Sequence, residues 1–561
     1  MTPKTNTRFI GWSISAWLLL VAIVSGGEPL PPRIDSLIEA KLAGQPVASL
    51  CDDSEFLRRV CLDLIGRIPS VTEAREFLRD SNVDKREKLI DRLLASSEFP
   101  RRMTELMHVM LMERRGEHPD WLAYLNTSFE QNKPWDQMAR EMISADPNNE
   151  QTRSAAFFLS KRLENYGQNP VDYPILTRDV GRLLLGVDLQ CAQCHDHLFI
   201  NDYKQADFQG MYVVFLNASL RNDVKFPAVS EKLLTKKIDF QSVFNADKKT
   251  VGPRVPGRAE IAIPEFAKGE EYLEQPDKKS KAPGRPKFSP LEHLSKEITA
   301  PENPAFARNI ANRLWFVMMG RGLVHPLDLH HSENPSSHPE LSELLARELA
   351  EHQFNLKWLI RELALTKTYQ RSSVLPSGVS DPLPDRYMVA LEKPLSSEQL
   401  FLSVLYAAGL ADPAVANAEK AVATSTPPES KPADSAAKPQ ASGAKFDSLK
   451  LKFLKAFANP PMEPEGEFAP SLRAALFLMN DRDLLKVLET QPGSLVTRLL
   501  AITEPDKIAE ELYLSVLARR PASEEMTDVA ELLQRAADKK EFAIKQLLWA
   551  LLASTEFCVN H

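Results

Sequence analysis

A unit of helix, proline turn and two further helices is written into this sequence twice, once near each end. That repetition constrains the fold more than any other feature. Near the N-terminus it reads Leu64-Ile65-Gly66-Arg67-Ile68-Pro69, followed by Leu93-Leu94-Ala95-Ser96-Ser97-Glu98-Phe99. Near the C-terminus it reads Leu517-Ala518-Arg519-Arg520-Pro521, followed by Leu551-Leu552-Ala553-Ser554-Thr555-Glu556-Phe557. Each copy exposes an apolar face that needs a partner, so the two terminal segments are expected to pack near each other in one helical body.

Helical periodicity runs through most of the remainder, as in Glu55, Phe56, Val60, Leu64 and Ile65, or Lys88, Leu89, Ile90, Leu93 and Leu94. The expected fold class is therefore mainly α: a multi-helical body with a small β-rich insert and a disordered linker. The insert is read within 222–264, where Val224, Phe226, Ile238, Phe240 and Glu260-Ile261-Ala262-Ile263 form short β-prone runs broken by Pro and Gly. Residues 276–290 carry Lys278, Lys279, Lys281, Arg285 and Lys287 and read as a basic, solvated connector. Residues 412–445 are almost wholly Ala, Pro, Ser, Thr, Lys and Glu, too polar to bury enough surface to offset ordering entropy, and read as a disordered linker.

The first residues read as an export signal. Lys4 and Arg8 precede an apolar run from Phe9 to Val24, and Val24-Ser25-Gly26 offers small residues for cleavage, leaving a mature start near Gly27 or Glu28. The alternative is an uncleaved anchor, which would be the one source of membrane contact. Either way the bulk is expected outside the cytoplasm, periplasmic or extracellular. A net charge of -7, from 69 basic and 76 acidic residues with no basic stripe, argues against nucleic acid as a partner.

Five cysteines in 561 residues do not make a disulfide framework. Asp52-Asp53-Ser54 caps a helix that carries Cys61, and the rise of that helix sets Cys51 and Cys61 roughly 15 Å apart, too far for a bridge. Cys558 sits on an apolar helix tail and reads as a small core residue. That leaves Cys191-Ala192-Gln193-Cys194-His195.

Two cysteines at this spacing suit thioether attachment of a c-type haem, and the next histidine then sits beneath the ring as an axial iron ligand. Cys191, Cys194 and His195 are the expected haem c-binding residues, with His195 the metal ligand. Attachment takes place on the exported side of a membrane, which agrees with the leader. Tyr173 to Val187 reads as a helix leading to the motif, and Phe199, Tyr203, Phe208, Met211, Tyr212 and Phe215 supply either ring-facing surface or ordinary helix core. Three other readings compete: a Cys191–Cys194 disulfide, a zinc clip that adds His195 and His197, and two free thiols. His197 is too close in sequence to reach the far face of a haem. Met211, His293, His325, His330 and His331 remain candidates for the opposite ligand.

A second histidine cluster, His325, Asp328, His330, His331 and His338, reads as solvated loop histidines or a divalent-metal site. Ser337 and Glu340 fit a helix capping box. Arg308, Asn309, Asn312 and Arg313 read as a buried polar network or a surface face. No Gly-rich phosphate loop, serine-hydrolase elbow or HExxH motif is present, so no residue pattern assigns a reaction.

Several segments together resemble a known pair of domains. They are Arg59 to Pro69, Leu184 to His197, Thr299 to Trp315, Gly320-Arg321-Gly322-Leu323-Val324, Asn334 to Leu341, Phe354 to Leu359 and Thr368 to Ser373. The chain is similar there to the paired domains of unknown function 1549 and 1553 of planctomycete exported, cytochrome-associated proteins. The resemblance implies a bacterial exported protein with a haem c site but no assigned activity. It divides the chain into a 1–27 leader, a 28–221 helical domain like 1549 with the CxxCH motif, a 222–290 insert and connector, a 291–411 domain like 1553, the 412–445 linker and a 446–561 helical segment.

Two departures from the family pattern stand out. Leu198 occupies a position that is usually Pro in such proteins, which puts the local turn in doubt. The separate N-terminal cytochrome domain of longer relatives does not occur in this sequence, so electron traffic would depend on the Cys191 site or on a redox partner protein. The resulting expectation is an exported haem c redox or electron-transfer protein of unassigned substrate. The alternative is a haem-free helical scaffold or binding protein with the CxxC pair as a disulfide or metal clip.

Overall fold

Asp52 starts the helix Asp53–Ile65 by accepting hydrogen bonds from the Ser54 and Glu55 N–H groups, both at 2.9 Å. Gly66 ends it in the left-handed region at φ +74°. Between these caps almost every side chain is buried, because the helix lies between two cores. Phe56, Leu57, Val60 and Leu64 enter the first core, whose residues otherwise run from Leu30 to Val389 with Leu514. Leu62 turns the other way and joins Ile68 in the second, with residues from Leu395 to Phe557.

The computed structural model describes residues 28–165, 167–277, 279–411, 446–463 and 472–561. The leader at 1–27 and the linker at 412–445 lie outside the described residues. The body is mainly helical, and its sheets among the described residues are two-stranded. No helix among the described residues is long and apolar enough to cross a membrane.

The two repeated units share an ion-pair bracket. Arg67 Nε and Nη2 donate to Glu98, both at 2.7 Å, while Nη1 donates to Glu73 at 2.8 Å. In the second copy Arg519 Nε donates to Glu556 at 2.6 Å and its two terminal nitrogens reach Glu525, both at 2.7 Å. Each guanidinium also lies over a ring, Tyr406 at 4.1 Å and Tyr513 at 5.2 Å. The arginine of each proline turn thus ties its own turn to the start of the following helices, which is why the spacing recurs.

The terminal segments meet along Asp53–Ile65. Arg58 donates to the Phe557 carbonyl at 2.8 Å, and Lys393–Pro394 pairs antiparallel with Val559–Asn560. Asp63 is the hub of this junction. Its buried carboxylate accepts from Lys393 Nζ at 2.7 and 2.8 Å, from the Tyr369 hydroxyl at 2.8 Å and from Asn560 Nδ2 at 2.8 Å.

A second polar junction joins the helix Glu98–Met112, the turn Gly181–Leu185 and the helix Pro304–Met319. Arg182 pairs with Glu113 at 2.6 Å and with Asp328 at 2.9 Å, and Arg313 holds the other oxygen of Asp328. Arg162 and Arg115 converge on Asp179 at 2.9 and 2.8 Å. Opposite charges out of water in this density hold together only because each carboxylate has a cation.

The β-prone region forms three hairpins. Ala218–Leu220 pairs with Val229–Glu231, Ile238–Gln241 with Lys248–Val251, and Tyr272–Glu274 with Arg285–Pro286. Ile238 and Phe240 thus lie in a strand as the sequence suggests, but Val224 and Phe226 do not: they form the bend inside the first hairpin, where Arg153 covers the Phe226 ring at 4.3 Å. Glu260–Ile263 is no strand either, since Ile261 and Ile263 pack individually on the first core. Arg285, read as part of a connector, sits in the third hairpin.

Candidate functional site

Asp172 caps the helix Tyr173–Val180 by accepting from Ile175 N–H at 2.9 Å. The chain continues through the wider turn Gly181–Leu185 and stops at Gly186, φ +73°. A side chain at Gly186 would put its Cβ 2.8 Å from the His330 ring and 3.0 Å from Asn309 Oδ1, so a bare α-carbon is required there twice over. The expected helix from Tyr173 to Val187 thus runs unbroken to Leu185, widening over its last five residues, and ends two residues short.

Asp188 then accepts from Gln190 N–H at 3.0 Å and turns the chain into one 3-10 turn, Cys191–Gln193. Three residues per turn bring positions i and i+3 to the same side. Ala192 points into the core, fully buried, and Cys191 and Cys194 are both exposed thiols. The CxxC spacing therefore presents two sulfurs to solvent from one short turn.

The turn is held from two sides. Gln209 of the helix Gln205–Phe215 donates to the Gln193 carbonyl at 3.1 Å, and Val243 N–H, between the strands Ile238–Gln241 and Lys248–Val251, donates to the Cys194 carbonyl at 3.1 Å. Half-buried His195 has its Nδ1 2.7 Å from the Asp196 carbonyl. A carbonyl only accepts, so Nδ1 carries the proton and Nε2 keeps its lone pair.

His197 has a different task. Its Nδ1 accepts from Phe199 and Ile200 N–H at 3.2 and 2.9 Å, closing the turn around Leu198 that a proline would otherwise stiffen. No group of three His, Cys, Asp or Glu side chains among the described residues has metal-holding geometry, which takes the four-ligand Cys191, Cys194, His195, His197 clip and the 325–338 cluster out of consideration as preformed metal sites.

Of the aromatic and thioether residues after the motif, Tyr203, Phe208, Met211 and Phe215 are buried in the first core and Tyr212 packs against it. They are helix core, and Met211 is fully buried within it. Phe199 remains outside, 81% exposed. The hairpin adds two residues that sequence reading passed over, Val243 and Phe244, 67% and 65% exposed, with the Phe244 ring 4.6 Å from that of His195. With Leu198 they make an exposed apolar rim beside the motif. The backbone bond from Val243 to Cys194 and the bond from the Gln205 side chain to the Gln241 carbonyl at 3.1 Å bring them there, and the sequence carries no local sign of either.

The second histidine cluster disperses. His325 stacks on Phe316, His330 leans on Asn312 at 3.4 Å, and His338 is buried against Tyr387. His331 alone packs toward the motif loop, its ring 5.3 Å from that of Tyr203, which in turn meets His197 at 6.1 Å. The capping box at Ser337 and Glu340 does not form. Pro339 opens the helix Pro339–Glu351, so His338 becomes the N-cap and the Ser337 hydroxyl bonds to its ring at 3.0 Å instead. Asn309, Asn312 and Arg313 form a buried network on Leu183, Val324 and Asp328, while Arg308 pairs outward with Glu343.

Burial lowers the imidazole pKa of His108, His330, His331, His338 and His561, to about 4 for His330 and His338. For His330 the Arg313 guanidinium adds to the effect. Below pH 6.5 the unfolded chain then binds more protons than the folded one, so stability falls as pH drops from about 6.5 toward 4. At pH 5 His330 alone is expected to account for a loss of about 1–2 kcal/mol. Urea unfolding at pH 7 and pH 5 checks this: His330→Gln should show a visibly smaller difference between the two than the unsubstituted chain.

Two family models match the chain, the protein of unknown function DUF1549, named PSCyt2, over residues 33–219 and the protein of unknown function DUF1553, named PSD1, over residues 292–533. The chain is a tandem DUF1549–DUF1553 protein. No curated protein and no solved structure matches it. Within this tandem protein the CxxCH turn and both of its helices belong to the DUF1549 match, whereas the rim from Val243 and Phe244 lies between the two matches. The DUF1553 match runs on past 412–445 to residue 533, so it takes in the proline turn of the second repeat and stops short of Leu551–Phe557.

Proposed function

We propose that this tandem DUF1549–DUF1553 protein is an exported c-type haem-binding redox or electron-transfer protein. The observation that carries the reading is the 3-10 turn that presents Cys191 and Cys194 on one exposed side, with His195 directly after it. When bound there, a haem c supplies one-electron exchange. Cys191 and Cys194 are placed to form the two thioethers. His195, its Nδ1 proton held by the Asp196 carbonyl, offers Nε2 to iron, the orientation that a hydrogen-bonded imidazole ligand needs. Phe199, Val243 and Phe244 lend an apolar rim that excludes water from one edge of the site and gives a redox partner protein a place to dock. The family name PSCyt2 supports a cytochrome association, and the leader-like sequence at 1–27 supports export to the periplasm or beyond.

Intact-mass spectrometry of the chain, matured by an exporting cell with its own cytochrome assembly pathway, tests the reading. The expected mass is the polypeptide plus one haem, with a visible absorption band that survives acid and organic extraction. Cys191→Ala combined with Cys194→Ala should abolish both. A colourless product with the bare polypeptide mass would instead mark the haem-free scaffold.

A further inference from the structure

Away from the CxxCH turn, a cavity of about 510 Å³ opens where the helix Glu98–Met112, the helix Pro304–Met319 and the segment around Lys393 meet. Its size is that of a small-molecule site. Arg102, Leu106, Val109 and Met110 line it from one face of the helix Glu98–Met112, at the i, i+4, i+7, i+8 spacing of a helical stripe. Phe316 and Phe457 contribute apolar surface opposite.

The charges in the cavity wall are nearly all spent on one another. Arg182 is held by Glu113 and Asp328, Arg313 by Asp328, and Lys393 by Asp63. Glu392 is exposed and solvated. Arg102 is the exception: only 6% exposed, its Nε is sealed from solvent, and its guanidinium has no hydrogen-bond or ion-pair partner among the described residues. The carboxylates nearest to it are committed elsewhere, Glu105 to Arg101 at 3.2 Å, Glu398 to Arg114 at 3.0 Å and Asp63 to Lys393 at 2.7 Å. Gly66 leaves room for the arginine stem, since a Cβ there would come within 2.8 Å of Arg102 Cδ.

A buried cation without a counter-charge costs several kcal/mol, and a fold that retains one has a use for it. We propose that this cavity binds an amphipathic anion, with its charged head on Arg102 and its apolar body along Leu106, Val109 and Met110. From Arg102 to Met110 the helix rises ~12 Å, which suits an aliphatic chain of about eight carbons. Carboxylate, phosphate and sulfate heads all match a guanidinium fork. The site shares no residue with the CxxCH turn, so it stands or falls separately from haem attachment.

Calorimetric titration of the full chain with octanoate, octyl phosphate, octyl sulfate and 1-octanol tests the site and identifies the head group. At least one anion is expected to bind with one-to-one stoichiometry and at least tenfold tighter than 1-octanol. Arg102→Met should erase that preference while leaving the thermal midpoint of the ligand-free chain unchanged or raised, because the lone buried charge is gone. Equal binding of 1-octanol and all three anions, no binding of any probe, or an anion preference that survives Arg102→Met would overturn the proposal. So would a lowered midpoint in ligand-free Arg102→Met, the mark of a purely structural arginine.

Discussion

Arg67→Ala is expected to lower the stability of the chain by about 2–3 kcal/mol, whereas Arg519→Ala, the same change in the second copy of the repeat, costs about 1 kcal/mol. The two brackets have matching partners and nearly matching distances, and they differ in burial: the Arg67 side chain is 4% exposed and that of Arg519 27%. The carboxylates of the two copies are alike, Glu73 and Glu98 30% and 29% exposed and Glu525 and Glu556 27% and 31%, so water can reach all four once the arginine is gone. The contrast therefore comes from the arginine itself: removing Arg67 empties a buried space on the face of Tyr406, whereas Arg519 is partly in solvent already. Urea unfolding of both variants measures the contrast. Equal losses would mean that ion pairing, rather than burial of the arginine, sets the contribution of the bracket.

Asp63→Ala is expected to be more damaging, about 3–5 kcal/mol, because the Lys393 side chain it strands is only 15% exposed. It deprives the Lys393 ammonium of its counter-ion and leaves it with the Val317 and Met318 carbonyls, both at 3.0 Å. Tyr369 and Asn560 lose an acceptor at the same time. Burial already lowers the pKa of Lys393, with Asp63 opposing that shift, so without Asp63 the amine sheds its proton at lower pH. A cycle with Lys393→Met separates the terms. The double variant Asp63→Leu, Lys393→Met should recover a large part of the loss, because a matched apolar pair strands no charge. If it is worse than Asp63→Ala, the carboxylate matters mainly through Tyr369 and Asn560.

Much of the helical architecture is legible in the sequence because it rests on signals that repeat. Phe56, Val60 and Leu64 mark a buried stripe, and the two proline turns announce their own partnership. The strands are less legible, since runs of two to four residues, such as Lys393–Pro394 or Ile238–Gln241, are shorter than any period that could reveal them. Phe226 and Ile261 looked like strand residues yet are single anchors under a cation and on a core. At the site, Cys191, Cys194 and His195 are readable from spacing alone, because one 3-10 turn fixes their relation. Val243 and Phe244 come from another element, so only tertiary contacts disclose them. Arg102 is the limiting case. What distinguishes it is the lack of a partner, which no stretch of sequence can display.

The bond from Arg58 to the Phe557 carbonyl spans 499 positions of chain. Leu62 and Ile68 consequently have no apolar neighbours of their own until the far helices have been made and delivered. A ribosome releasing this polypeptide therefore exposes a greasy seam for the whole interval, and closure is a late event of high contact order. Cleavage or shortening within the final helices would reopen that seam at the opposite end of the chain, so damage there should register first as aggregation of the N-terminal half.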